Sequence, residues 1–248
     1  WELTDNLTIP VNNHRITIGT RNEIYKVRNL FAQSSYGVWT FDHLDSLVSG
    51  TAERYESAGD LGAGIAATFT AGIFGVYVQD QWQATPRLTI TAGLRVDMPT
   101  FFDKPTFDPR VAADGFDTDI PSGQLMLAPR IGFNVDLGER VTQIRGGVGM
   151  FTGTPAYVWY SNAYSNNGTK IGRLTCTGTN VPAFSTQLGG PLQCADGTGI
   201  AAGTTIGEVN VIAKDTKFPQ VLRGNLALDR RLPGGVVATA EFLFTKGV

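Results

Sequence analysis

The 248-residue sequence has no long hydrophobic run. Its longest apolar stretch, at about residues 71–78, contains two glycines, whereas a transmembrane helix needs about 20 apolar residues. A bundle of membrane-spanning helices is therefore excluded. Charged residues are also scarce, at 17% of the chain, compared with about 25% in a typical soluble domain.

The chain has few residues suited to nucleic-acid binding or metal chemistry. Its 20 Lys and Arg residues are matched by 22 Asp and Glu residues, and no basic cluster stands out, so we expect no nucleic-acid partner. The only two histidines, His14 and His43, have no Cys or carboxylate spaced to complete a metal site. We expect no metal and no cofactor.

No catalytic constellation stands out either. Residues 62–67 fit the spacing G-x-G-x-x-A, but a dinucleotide site needs a buried strand before it and a helix after it. Here a polar segment precedes the glycines and a strand pattern follows, which favours a loop-to-strand junction. Asp80 and Asp97 could form an acid–base pair, but pairing with arginines on a polar strand face explains both better. We predict that the chain is not an enzyme.

The sequence has only two cysteines, Cys176 and Cys194, and both lie in one segment rich in Gly, Thr, Ser and Asn. An isolated pair in such a loop predicts a disulfide and an oxidising compartment. Two free thiols are the alternative.

What the sequence does have is an uninterrupted alternation over residues 87–97. One face carries only apolar side chains, and the other carries polar and charged ones; the apolar residues are Leu88, Ile90, Ala92, Leu94 and Val96. Because successive strand side chains point to opposite sides of a sheet, this segment predicts a strand with one apolar and one polar face.

The same alternation recurs along the chain with a regular order of connections. Six strands follow residue 64, joined by short turns at 84–86, 137–140 and 233–235 and by long excursions at about 98–124 and 152–217. Earlier residues predict a hairpin around 10–13 and one excursion over 28–61, which contains a short strand near 36–41. This gives about eight crossings with short turns at one end and long loops at the other, as in outer-membrane barrels. The predicted fold is therefore all-β: a segment of an antiparallel transmembrane β-barrel with long external loops.

Two groups of side chains are candidates for function. The polar face would line the lumen, with Arg87, Arg95, Asp97, Arg130, Arg145 and Glu241. A possible ligand-contacting loop combines aromatic rings with amides suited to saccharides or peptides, at Tyr157, Trp159, Tyr160, Asn162 and Tyr164. The alternative role for these rings is to anchor the loop or to form an interfacial aromatic belt.

Several segments, taken in order, resemble the barrel of TonB-dependent outer-membrane receptors, most of all the Oar-like branch. The matching segments are residues 14–23 (HRITIGTRNE), 29–31 (NLF), 75–82 (GVYVQDQW), 85–97 (TPRLTITAGLRVD), 128–133 (APRIGF), 144–151 (IRGGVGMF) and 155–168 (PAYVWYSNAYSNNG). Each motif is weak alone, but their order and spacing are specific.

The resemblance implies a barrel of about 22 strands closed by a plug domain and driven by the TonB energy-transducing complex. The chain has no plug and no TonB box, so we expect residues 1–248 to be a partial barrel domain within such a receptor. The implied location is the bacterial outer membrane. The implied partners are outer-membrane lipid, the TonB complex acting through the missing plug, and an unknown ligand that could be a saccharide or a peptide.

Two other interpretations remain open at this point. Eight crossings would permit a small complete barrel with an adhesin or structural role, whose interior would be filled by side chains. A soluble carbohydrate-binding β-sandwich would also alternate, but its apolar faces would pack together between two layers.

Overall fold

The computed structural model describes residues 1–138, 141–201 and 208–248, which form two antiparallel sheets. The strands are β1 (Glu2–Val11), β2 (His14–Asn29), β3 (Val38–Thr40), β4 (Arg54–Asp60), β5 (Ala67–Thr85), β6 (Leu88–Phe101), β7 (Met126–Gly138), β8 (Thr142–Thr152), β9 (Ile171–Thr177), β10 (Gln220–Arg231) and β11 (Val237–Gly247). The helices are α1 (Leu44–Ser49), α2 (Pro109–Ala113) and α3 (Tyr157–Ser165), with short 3₁₀ turns at Gly178–Asn180 and Pro233–Gly235.

Eight strands form one large sheet, which we call the wall. Its order is β1-β2-β5-β6-β7-β8-β10-β11, so each wall strand pairs with the next wall strand along the chain. The predicted count of about eight crossings is confirmed. The sheet is not closed, since β1 and β11 each have a wall neighbour on one side only.

The strand register keeps the two faces of the wall chemically separate. Ile18 lies opposite Leu7 and Val78, and Val78 lies opposite Leu94, so apolar side chains align across four strands. The apolar face continues through β7, β8, β10 and β11, with Ile131, Phe133, Val148, Leu226 and Phe242.

No described part of the chain packs as a second layer on the apolar face. Ile131 is 54% exposed, Leu226 is 52% exposed and Phe242 is 68% exposed. A β-sandwich would bury this face between two layers, which is not the arrangement seen. The uncovered apolar face matches the predicted barrel wall.

The connections between wall strands are sorted by length, as predicted. Tight turns lie at one end, which we call the turn end, and Asn12 adopts φ +52° in the first of them. The predicted turn at 137–140 lies there too, but Glu139 and Arg140 are outside the described residues. Three long excursions leave the opposite end, the loop end, at residues 30–66, 102–125 and 153–219.

The excursions form an ordered external layer rather than separate irregular loops. The predicted strand near 36–41 is β3, and it pairs with β4, which pairs in turn with β9 more than a hundred residues later. This three-stranded sheet joins the first excursion to the third.

Residues 62–67 form the loop-to-strand junction that the sequence favours. The backbone N–H groups of Gly62 and Gly64 donate to the Asp60 carboxylate at 2.8 and 2.9 Å, and β5 begins at Ala67. Both glycines have φ near the left-handed region, at +106° and +78°.

Within the described ranges, no helix has the length and hydrophobicity required to cross a membrane.

Candidate functional site

The predicted lumen-lining residues lie together on the polar face of the wall. Arg95, Asp97, Arg130, Arg145 and Glu241 all point to the side opposite the apolar face. Arg87 lies in the turn before β6 and lines a cavity at the turn end together with Asp136, Gln143 and Asp229. The polar face is therefore the candidate functional site.

Arg145 is the centre of an ion network across three adjacent strands. Its Nε lies 2.9 Å from Asp229 Oδ2 on β10, and its Nη1 lies 3.8 Å from Glu241 Oε1 on β11. The carboxylates have further partners, because Asp229 accepts from Thr239 at 2.7 Å and Glu241 accepts from Asn225 at 3.0 Å. Strand pairing alone places these groups together, since Arg145 and Glu241 both lie opposite Ala227.

A second ion pair joins Arg95 and Asp97 on β6. Arg95 Nε lies 2.7 Å from Asp97 Oδ1, and the Asp97 carboxylate is almost fully buried. The guanidinium also lies over the Tyr77 ring, 5.3 Å from its centroid. Gly75 makes room for the pair, because a Cβ at that position would lie 2.7 Å from Asp97 Oδ1.

Arg130 differs from these two arginines. Its guanidinium lies over the Phe151 ring, 5.1 Å from the centroid, and no Asp or Glu of the described residues lies within ion-pair distance of it. Its neighbour across the strand pair is Gly149, where a Cβ would lie 2.8 Å from Arg130 Cβ. Glycine at this position therefore leaves space for the arginine side chain on the polar face.

The candidate ligand-contacting segment is a helix that packs on the polar face at the loop end. α3 contacts β5 and β2, and its inward residues join a core that we call the loop-end core. The members of this core are Ala67, Phe69, Ala71, Phe101, Ile120, Met126, Tyr160, Ala163, Tyr164 and Phe218.

Two of the five predicted ligand contacts are buried in this core. Tyr164 stacks on Phe69 with ring centroids 4.3 Å apart and donates a hydrogen bond to the Asp103 carbonyl at 2.6 Å, and Tyr160 packs on Phe101 at 4.7 Å. Burial raises the pKa of both phenols. These two rings have the anchoring role that the sequence left as the alternative.

The other three candidates differ in exposure. Trp159 is 65% exposed, Asn162 is half-buried, and Tyr157 is half-buried against Tyr25. Burial raises the pKa of Tyr157 to about 12, and the nearby Tyr25 and Glu23 add to the shift. Only Tyr157, Trp159 and Asn162 remain available for contact with a ligand.

A disulfide and a buried arginine–aspartate pair are two of the links within the external layer. Cys176 on β9 and Cys194 form a disulfide beside the buried ring of Tyr55. Arg110 on α2 donates to the buried Asp108 carboxylate at 2.8 Å and to the Gly168 carbonyl at 2.8 Å, which ties the second excursion to the third. The hydrogen bond from Arg110 lowers the pKa of Asp108.

Asp80 lies on the apolar face, and the prediction that it pairs with an arginine is wrong. Its register partners, Ile16 and Ala92, both belong to that face. Asp80 Oδ2 instead lies 2.6 Å from His14 Nδ1, and the His14 ring stacks on Trp82. The strand alternation could have shown this, because Asp80 has the same parity as Val76, Val78 and Trp82.

Several residues that hold the site together were missed from the sequence. Phe69, Phe101 and Phe218 pack with residues of α3 and hold the helix against the wall. The alternation pattern placed these residues in strands or loops but did not predict their contacts with the helix. One available signal was the spacing of Tyr157, Tyr160 and Tyr164, which repeats at three and four residues as on one face of a helix.

Among the described residues, no group of three His, Cys, Asp or Glu side chains lies close enough together to hold a metal ion.

Comparison with known proteins assigns the family. A family model described as an outer membrane beta barrel domain matches residues 1–248, whereas no curated protein matches the chain. The apolar face then meets lipid, the polar face looks inward, and the turn end is on the periplasmic side, as in barrels of this class. With a wall of eight sequentially paired strands and a family match over its full length, the chain belongs to the outer membrane β-barrel domain family and is located in the bacterial outer membrane.

Proposed function

We propose that the chain forms part of the barrel of a TonB-dependent transporter, in which an energised plug lets a ligand cross the outer membrane. The single observation that carries this proposal is the open wall with a charged polar face. Its outermost strands, β1 and β11, have unpaired edges, and unpaired strand edges do not occur in the hydrocarbon region of a membrane. Pairing with further strands of a larger barrel would satisfy them.

The polar face supports a wide lumen rather than a filled interior. Among the described residues it carries eight arginines against six carboxylates: Arg15, Arg21, Arg87, Arg95, Arg130, Arg145, Arg223 and Arg231, and Glu2, Glu23, Asp97, Asp136, Asp229 and Glu241. An eight-stranded barrel has an interior just wide enough for side chains to fill, whereas barrels of about 22 strands hold a plug. Charges in such number need water or a polar partner, which a wide lumen provides.

The ordered motifs of the TonB-dependent family add to this support. The hairpin at residues 75–97 is β5 and β6, and the segments at 128–133 and 144–151 are parts of β7 and β8. These are the strands that carry Arg95, Asp97, Arg130 and Arg145, so the motifs that resemble the family coincide with the charged part of the polar face.

In this proposal the external layer meets the ligand first. Trp159 and Asn162 are its accessible aromatic and amide groups on α3, and their chemistry suits a saccharide or a peptide. The partners are outer-membrane lipid at the apolar face and the TonB complex acting through a plug. No catalytic step and no cofactor are part of the proposal.

Binding of TonB by the full-length protein tests the proposal. The periplasmic domain of TonB should bind the full-length protein purified in detergent, as measured by surface plasmon resonance. A variant lacking the segment that precedes the plug is the control and should not bind. A full-length protein that has no plug, or that has a plug but does not bind TonB, contradicts the proposal and favours a structural barrel.

A further inference from the structure

A cavity lies on the polar face next to the start of α3, on its turn-end side, and we call it the Arg130 cavity. Four strands contribute its charged and aromatic lining, which consists of Arg21, Glu23, Arg95, Asp97, Arg130 and Phe151. Residues 152–154, which lead into α3, close one side. The cavity is therefore bounded both by the wall and by the segment that holds the helix.

One charged group of the cavity lining has no ion-pair partner in the described ranges. Three guanidinium groups line the cavity. Arg21 is within ion-pair distance of both Glu23 and Glu2, and Arg95 pairs with Asp97 at 2.7 Å. Among the described residues, Arg130 alone of the three arginines lacks a carboxylate partner.

The guanidinium of Arg130 is stacked rather than paired. Its contact is the Phe151 ring, and no described residue accepts a hydrogen bond from its guanidinium. A guanidinium has five N–H donors in a planar fork that matches a carboxylate or phosphate group. Stacking on an aromatic ring holds the group in place and leaves the donors at its edge free.

A phenol of α3 is linked to the cavity lining through Tyr25. The hydroxyl of Tyr157 is buried and has no hydrogen-bond partner in the described structure. Its ring packs against Tyr25 at 5.7 Å, and the Tyr25 hydroxyl donates to Glu23 in the cavity lining. A phenol has an ordinary pKa of about 10 and is protonated at neutral pH, so toward an anion this hydroxyl acts as a donor.

We propose that the Arg130 cavity binds an oxyanion group, a carboxylate or a phosphate, carried by the solute that passes the polar face. Arg130, whose guanidinium has no carboxylate partner among the described residues, makes the direct contact. The inference rests on the proposed transport function, since it names the chemical class of the transported ligand.

Phosphate binding to the full-length protein in detergent tests the inference, with inorganic phosphate as the probe and ³¹P line broadening as the measurement. Arg130→Gln should weaken phosphate binding by about tenfold or more, because it removes a charged hydrogen-bond donor. Arg15→Gln is the matched control. It removes the same charge from the same face at the turn end, and it should leave the affinity unchanged. Circular dichroism of each variant checks that the fold is kept.

The results separate this inference from the transport proposal. Loss of binding in Arg130→Gln alone supports the cavity as an anion site. Equal affinities in wild type, Arg130→Gln and Arg15→Gln overturn it. Wild-type protein that does not bind phosphate also overturns it, as would happen if an acidic side chain from elsewhere in the full-length protein filled the cavity. The TonB-binding measurement is independent of Arg130, so it still decides the transport proposal after either result.

Discussion

Outside the loop-end core, most side chains of the eight wall strands keep some exposure, whereas the external layer encloses a core of its own around Tyr55, Leu174 and the Cys176–Cys194 disulfide. The wall is held by backbone pairing along eight strands, and its apolar face depends on lipid for its burial. The external layer is held by side-chain burial and a covalent link, as in a small secreted domain. One chain thus combines two kinds of stability that respond to different changes.

The largest expected effect comes from the loop-end core, where the two regions meet. Phe69 belongs to β5 but packs against Tyr164 of α3, and Phe69→Ala should lower the free energy of unfolding by about 3–5 kcal/mol. Urea unfolding followed by tryptophan fluorescence measures the change, and faster proteolysis of residues 153–201 would locate it. Phe107→Ala is the control, because Phe107 is 62% exposed. Equal losses in both variants would contradict the packing described here.

A charge placed on the apolar face should destabilise the wall and leave the stability of the external layer unchanged. Leu94→Arg puts a guanidinium toward lipid and should cost about 2–4 kcal/mol near the bilayer midplane. Thr91→Arg lies on the same strand but on the polar face and should cost much less. Unfolding in lipid vesicles measures both. If the Thr91 variant were as destabilised as the Leu94 variant, the assignment of the two faces would be wrong.

Removal of the disulfide should destabilise the external layer and leave the wall unchanged. The bond joins cysteines 18 residues apart, and in Cys176→Ser/Cys194→Ser its loss should cost the external layer about 3 kcal/mol. Proteolysis of the external layer should accelerate, while infrared absorption of the wall strands stays the same. Loss of the wall signal together with the external layer would show that the two regions unfold as one unit.

The smallest expected effect is a loss of stability at alkaline pH, where ionisation of Tyr157 weakens the packing of α3 on the wall. The pKa of Tyr157 is about 12 in the folded protein and about 10 in an unfolded chain. The contribution of the neutral phenol to the free energy of unfolding is therefore complete below pH 10 and is lost as the pH rises toward 12. Solvent screening of this half-buried group limits the contribution to about 1 kcal/mol.

Tyr157→Phe should remove that part of the alkaline destabilisation, as measured by Trp159 fluorescence in a pH titration. Tyr36→Phe removes an exposed phenol and serves as the control. An identical alkaline profile in wild type and Tyr157→Phe would assign the destabilisation to other groups.

The same contrast explains how much could be predicted from the sequence. Wall strands such as β6 follow from local alternation, because each residue's face depends only on its parity. The register then places Arg95, Asp97, Arg130, Arg145 and Glu241 on one side without further information. The family match agrees with this part of the prediction.

The fold of the external layer could not be predicted from local sequence patterns. β4 pairs with β9 across more than a hundred residues, and no local pattern in either strand encodes that pairing. α3 begins at Tyr157, and its N-cap residue Ala156 provides no side-chain hydrogen bond. Apart from one alanine, the helix contains no strong helix former, so packing on Phe69 and Phe101 decides its conformation. The burial of Tyr160 and Tyr164 was missed for the same reason.

The uneven lengths of the wall strands have a consequence for how molecules reach the interior. β5 has 19 residues and β8 has 11, and short turns align the strands at the turn end. At about 3.3 Å per residue, the eight additional residues of β5 extend its loop end by about 25 Å along the strand. The rim of the protein therefore slopes, with α3 against its high side. A molecule that approaches from outside the cell therefore meets the high side, at β5 and α3, before it reaches the end of β8.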